Sequence, residues 1–88
     1  MKLNPNFIIS EIADETVLIN QTTEQRDFAH LLTLNSSAKL LFEKLSGKEF
    51  TQDDASNVLR EAYGISEEKA WTGAKIWVKL MEEYKVIE

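Results

Sequence analysis

From Phe7 to Leu34 the order of apolar and polar positions predicts three extended segments. Phe7-Ile8-Ile9-Ser10-Glu11-Ile12 is rich in aromatic and β-branched side chains, which fit a pleated, half-buried surface. Thr16-Val17-Leu18-Ile19-Asn20 repeats that character. Asp14-Glu15 between them predicts a tight turn, although it lacks the glycine that two-residue hairpins prefer. Gln21 to Asp27 is polar and carries no apolar period, so it predicts a loop. Phe28-Ala29-His30-Leu31-Leu32-Thr33-Leu34 then gives a third strand, over 28–34. Strands joined by short connections usually pair with their neighbours, so the expectation is an antiparallel meander with the first and third strands as its edges.

After Leu34 the period changes from two to that of a helix. Ala38, Leu41, Phe42 and Leu45 fall at i, i+3, i+4 and i+7, one face of a helix over 36–46. Asn35, Ser36 and Ser37 precede it as N-cap types, and Gly47 supplies a stop. Thr51 caps a second helix over 52–63, with Asp54 three residues on in a capping-box position. Its apolar face is Ala55, Val58, Leu59 and Ala62, and Gly64 ends it. Ser66 caps a third helix over 67–84, whose first turn carries Glu67 and Glu68 where the helix dipole favours anions. Val86-Ile87 is expected to fold back as a C-terminal clip. The pattern predicts an α+β domain over residues 1–88: a three-stranded antiparallel meander followed by a three-helix, winged-helix-like bundle.

The third helix has more apolar surface than one packed face needs. Ala70, Ala74, Trp77, Val78 and Met81 make one stripe, while Trp71, Ile76 and Leu80 fall outside it or on its margin. A helix packed on one side needs one stripe. Either the domain wraps this helix on two sides, or part of the surplus receives a partner.

Composition narrows the chemistry. The chain has 88 residues, 43% hydrophobic and 28% charged, with no cysteine and one histidine. At that length one domain and a small core are expected, with little room for an elaborate catalytic cavity. Without cysteine there is neither a disulfide nor a thiolate metal site. The apolar runs are far shorter than the roughly 18 residues that span a bilayer, and the start MKLNPNF does not read as a signal peptide. A cytoplasmic protein away from the membrane is the expectation.

Fifteen acidic against ten basic side chains give a net charge of −5, the wrong sign for binding a phosphate backbone. A winged-helix DNA binder is allowed by the order of elements, and its reading helix would be the last. From Ser66 to Tyr84, however, three lysines face four glutamates, and the helix has no Arg, Asn or Gln to read base edges. Nucleic acid is therefore disfavoured as a partner.

No constellation supports catalysis. His30 stands alone, and one histidine does not make a zinc or iron site. Asp53-Asp54, Glu67-Glu68 and Glu82-Glu83 are adjacent pairs, and adjacent residues on a helix point about 100° apart rather than facing each other as an acid/base pair. The three glycines are isolated, so there is no phosphate-cradling loop and no nucleophile elbow. The sequence points to no enzyme and no cofactor. What remains is a sheet edge beside a helix with surplus apolar surface, and an open edge offers main-chain donors and acceptors to an extended peptide.

One resemblance sharpens this. Leu34-Asn35-Ser36-Ser37-Ala38, followed by Leu41-Phe42-Glu43-Lys44-Leu45-Ser46-Gly47, resembles the LN-x-x-A … hydrophobic … L-x-G signature of the PqqD family, the pyrroloquinoline quinone biosynthesis protein D type of peptide-recognition element. It continues through Thr51, Val58-Leu59 and Tyr63 to Met81 and the closing Val86-Ile87-Glu88. Val17-Leu18-Ile19 and Leu32-Thr33-Leu34 stand where the family has strands. The resemblance covers nearly the whole chain, and it rests on order and spacing more than on one motif.

The resemblance implies a non-catalytic module that binds the leader segment of a ribosomally made precursor peptide. It would present that peptide to a modifying enzyme, often a radical S-adenosylmethionine protein. The leader adds as a strand to the third strand and lies against the third helix. By position, Phe28, Ala29, His30, Leu31, Leu32 and Thr33 would supply the strand, and Trp71, Ala74, Lys75 and Val78 the helical wall. Lys75 would pair with an acidic leader residue, worth about 0–1 kcal/mol if exposed. Trp71 would be the energetic anchor, and Trp77 a packing residue. The sequence departs from the family at Lys85 and at Glu15, where the family commonly has glycine, so the C-terminal reversal and the hairpin turn are expected to differ. Two other readings use the same features: a winged-helix nucleic-acid binder, and a structural protein that forms a homodimer through Ile76 and Leu80.

Overall fold

A computed structural model describes residues 1–21 and 32–87. Its elements run β1 (Phe7–Ile12), β2 (Glu15–Asn20), β3 (Leu32–Leu34), α1 (Ser36–Leu45), α2 (Gln52–Tyr63) and α3 (Glu67–Glu83). The strands form one antiparallel sheet in the order β1-β2-β3, followed by the three helices. Of the expected third strand, residues 28–31 lie outside the described residues.

The register sorts the sheet's faces. Ile9 pairs with Leu18, and Leu18 pairs with Leu32. Because strand side chains alternate, Phe7, Ile9, Leu18, Leu32 and Leu34 share one face, and all of them pack into or against the core. Ile8, Ile12 and Thr33 lie on the other face and are exposed.

The hairpin turn differs from its expected position by one residue. Ile12 pairs with Glu15, which leaves Ala13-Asp14 as a two-residue turn, and both have positive φ (50° and 67°). Positive φ at both central residues is the mark of the type I′ turn, whose twist matches that of the strands it joins. The turn geometry is thus the usual one for a hairpin, held without the usual glycine. Glu15 is the first residue of β2.

Each helix begins with the cap its sequence offers. Asn35 Oδ1 accepts from the Ala38 N–H at 2.9 Å. At α2 the box is reciprocal: the Asp54 N–H donates to Thr51 Oγ1 at 3.2 Å, and the Thr51 N–H to Asp54 Oδ2 at 2.9 Å. At α3, Ser66 Oγ accepts from the Lys69 N–H. Gly64 ends α2 in the left-handed conformation (φ 61°). Gly73 lets α3 approach α2 closely, since a Cβ there would stand 3.2 Å from Leu59 Cδ1.

The C-terminal end of α3 closes on a Schellman motif. The Lys85 N–H donates to the Glu82 carbonyl at 3.1 Å and the Val86 N–H to the Met81 carbonyl at 2.8 Å. Lys85 has φ +59°, the left-handed conformation this motif requires and glycine adopts most readily. Val86 and Met81, which flank the motif, are both 0% exposed. The turned-back end then meets the N-terminus: the Asn4 N–H donates to the Val86 carbonyl, and Leu3 bridges to Ile87. Met1 and Phe50 exchange a second pair of hydrogen bonds, at 2.8 and 2.7 Å. Phe50 lies against Trp77, with ring centroids 5.7 Å apart. These contacts tie both chain ends to the core that supports α3.

Candidate functional site

β3 is paired through β2 alone among the described residues, with Leu18 opposite Leu32 and Thr16 opposite Leu34. Leu34 is buried and Leu32 half-buried on the core face, while Thr33 points to the opposite face and is exposed. The structure thus describes Leu32 and Thr33 of the expected strand. Phe28, Ala29, His30 and Leu31 lie outside the described residues.

On α3 the four expected wall residues divide by depth. Ala74 is 0% exposed and Val78 is buried, both on the stripe that also carries Ala70, Trp77 and Met81. Lys75 and Trp71 are exposed and stand one turn apart on one flank. Trp71 retains 44% of its surface and Ile76 retains 64%, while Leu80 is half-buried against the core. Part of the surplus apolar surface of this helix is therefore open. Trp77 sits in the core, and its indole N–H has no hydrogen-bond partner among the described residues.

Trp71 lines a recess of about 530 Å³ whose other walls come from α2 (Asp53, Ser56, Arg60) and the start of α3 (Glu67, Glu68). A second recess, of about 500 Å³, lies at the far end of β3. Thr33 and Leu34 form one wall, with Asp14 and Glu15 of the hairpin and Lys39 of α1 around them. The two recesses share no residue, and neither includes Ala74, Lys75 or Val78.

Beside the second recess, Lys39 Nζ donates to Glu11 Oε1 at 2.6 Å, joining α1 to β1. The hydrogen bond and the ammonium charge hold the Glu11 carboxyl below its ordinary range, and the carboxylate raises Lys39 in return. Both groups lie at the surface, so the pair orients the helix more than it stabilises the fold.

Among the described residues no three His, Asp or Glu side chains gather in a way that could hold a metal ion. No described helix is long and apolar enough to cross a membrane.

No family model and no curated protein matches the chain. Its fold is similar to that of a solved structure, TbiB1 in complex with the TbiA(beta) leader peptide. The TM-score is 0.72 at 16% sequence identity, and the match covers 100% of this chain and 95% of that one. At that identity the likeness is one of fold: a three-stranded antiparallel sheet followed by three helices, in the same arrangement from end to end.

Proposed function

We propose that the chain is a non-catalytic peptide-binding module, a recognition element of the PqqD type. It takes the leader segment of a ribosomally made precursor peptide by strand addition to β3 and presents the peptide to a modifying enzyme. The observation that carries the reading is the sheet order β1-β2-β3, which leaves β3 an edge strand among the described residues. Full-length likeness to a protein solved with a leader peptide supports it.

Strand addition takes affinity from main-chain hydrogen bonds and selectivity from the side chains beside them. Phe28 to Thr33 would form the receiving edge. On α3, Lys75 supplies a cation for an acidic leader residue, and Trp71 an aromatic surface at the end of the same flank. Ala74 and Val78 act beneath them by fixing the helix against the core. Such a module carries no reacting group; the chemistry belongs to the enzyme it serves, a radical S-adenosylmethionine protein in the reading the resemblance suggests. The cell compartment in this reading is the cytoplasm, where ribosomal precursor peptides are made.

The test is a titration of candidate leader peptides into isotope-labelled protein, read by amide chemical shifts. Saturable changes over 28–34 and 70–78 are expected. Changes confined to β1 and the outer sheet face would overturn the site.

A second reading rests on Ile76, the most exposed large apolar side chain among those described. With Leu80 one turn on, it offers a self-interface for a homodimer. Sedimentation that shows a strict monomer at high concentration removes that reading and leaves the first intact.

A further inference from the structure

Among the described residues β1 is the longer outer strand of the sheet, six residues against three in β3. Ala13-Asp14 is a two-residue turn, so Ile12 and Glu15 are the hydrogen-bonded pair that closes it, and bonding then alternates along the hairpin. Ile12, Ser10 and Ile8 thus point their main-chain groups at β2. The Gln21 N–H, which donates to the Asn6 carbonyl at 2.8 Å, continues the same alternation past the strand. Phe7, Ile9 and Glu11 turn theirs away from β2. The Phe7 N–H is engaged all the same, donating to the Asn4 carbonyl at 3.1 Å. Ile9 and Glu11 remain, and their main-chain N–H and C=O groups have no partner among the described residues.

Native sheets blunt an outer edge with proline, a bulge or charge. β1 holds no proline and pairs residue for residue with β2, without a bulge. Its one charge, Glu11, is neutralised by Lys39 at 2.6 Å. A chain of net charge −5 therefore presents a neutral edge here, on which two copies meet without repulsion. On the outer face of the same strand Ile8 and Ile12 are 38% and 50% exposed.

We propose that β1 pairs antiparallel with β1 of a second copy of this chain, about a two-fold axis at Ser10. Opposed residues of an antiparallel pair share a face, so a symmetric contact that keeps both cores on one side sets one residue opposite itself. Centred on Ile9, the pairing would need the Phe7 N–H, which Asn4 already holds. Centred on Ser10, Ile9 of each copy lies opposite Glu11 of the other, and their free groups bond with none left over. The same register sets Ile8 against Ile12 of the second copy on the outer face, at both ends of the contact, with the two Ser10 side chains between them. One strand on one strand is a small interface, so association is weak and depends on concentration. β3 takes no part, so the proposal does not rest on the peptide-binding reading, and its surface is distinct from that of Ile76 and Leu80 on α3.

The experiment follows the full chain, isotope-labelled and without added peptide, from micromolar to millimolar concentration. Sedimentation is expected to show a monomer passing to a dimer and no further. Amide exchange should slow with concentration at Ile9 and Glu11 and stay unchanged at Ile8, Ser10 and Ile12, whose N–H groups already face β2. In a mixture of labelled and unlabelled chains, the Ser10 α-proton should show a contact to Ser10 of the other copy. Ile8→Lys and Ile12→Glu, both at exposed positions, should each weaken self-association about tenfold, because each disturbs the Ile8–Ile12 pair at both ends. Mixed one to one, the two variants should recover the dimer, since the register sets the new lysine opposite the new glutamate. A strict monomer at every concentration, protection that grows equally along β1, or a mixture that associates no better than its components would overturn the proposal. So would loss of the dimer in Ile76→Ser, which would move the contact to α3. Growth past the dimer would mean that β1 pairs with β3 of the next copy, and would overturn it as well.

Discussion

Lys85 offers the sharpest stability test, because one dihedral angle sets the expectation. It sits just past α3 with φ +59° inside the Schellman motif. A side chain with a Cβ pays roughly 1–2 kcal/mol for the left-handed conformation, which glycine adopts freely. Against that gain, glycine has more backbone freedom to lose on folding, roughly 0.5–1 kcal/mol. Removing Lys85 also takes a cation from a helix C-terminus, where it contributes about 0.3–1 kcal/mol. The charge contribution cancels when Lys85→Gly is compared with Lys85→Ala, since both lack the ammonium. The two dihedral contributions leave glycine ahead of alanine by about 0.5–1 kcal/mol. For a chain of this size that is about 2–8 °C in Tm, read by circular dichroism at a helix wavelength. Equal midpoints, or a higher one for Lys85→Ala, would show that Lys85 is not held left-handed in solution and that the reversal at Val86 is built differently.

The same logic applies at the hairpin, where Ala13 and Asp14 both hold positive φ; the double substitution Ala13→Asn with Asp14→Gly should raise Tm without moving the sheet register, as checked by amide shifts of β1 and β2. Met81→Ala, at a site with 0% exposure, should cost about 2–5 kcal/mol in chemical denaturation, and a loss under 1 kcal/mol would mean that the C-terminal clip is not packed as described. The Lys39–Glu11 pair should show itself through pH. Because Glu11 is lowered from its ordinary 4.5, its contribution is present above that value and is lost as pH falls through its folded value. The stability gap between the wild type and Glu11→Gln should therefore be constant near neutrality and close in acid. Lys39 is raised from 10.5, so its share is complete below that value and fades as pH climbs through the folded one.

The helices were legible because their signals are local. Ala38, Leu41, Phe42 and Leu45 carry the period, Asn35, Thr51 and Ser66 carry the caps, and all seven do in the structure what their spacing implies. The sequence puts the turn one residue late because its usual marker, glycine, is missing, and only the pairing of Ile12 with Glu15 fixes where it lies. Leu3 and Phe50 were not legible as core residues. Each is a lone apolar side chain in a polar stretch, and each is buried at 2% exposure by main-chain pairing between distant segments. Trp71 shows the limit for the site. Periodicity puts it on a flank of α3, but it says nothing of which neighbour walls that flank, and the structure gives α2. Ser56 had no signal either, since a serine in a helix interior reads as solvent-facing until the packing of α2 on α3 buries it.

The central claim is that a leader peptide adds to β3 as a strand. In an added strand, alternate main-chain N–H groups point at the receiving edge and the others point away. The most direct measurement is the affinity of a leader peptide that binds, remade as a series N-methylated at one backbone position at a time. Strand addition predicts a period of two: methylation at alternate positions should weaken binding strongly, while methylation at the positions between leaves it nearly unchanged. Sensitivity that is flat along the peptide, or that follows side-chain identity alone, would contradict it.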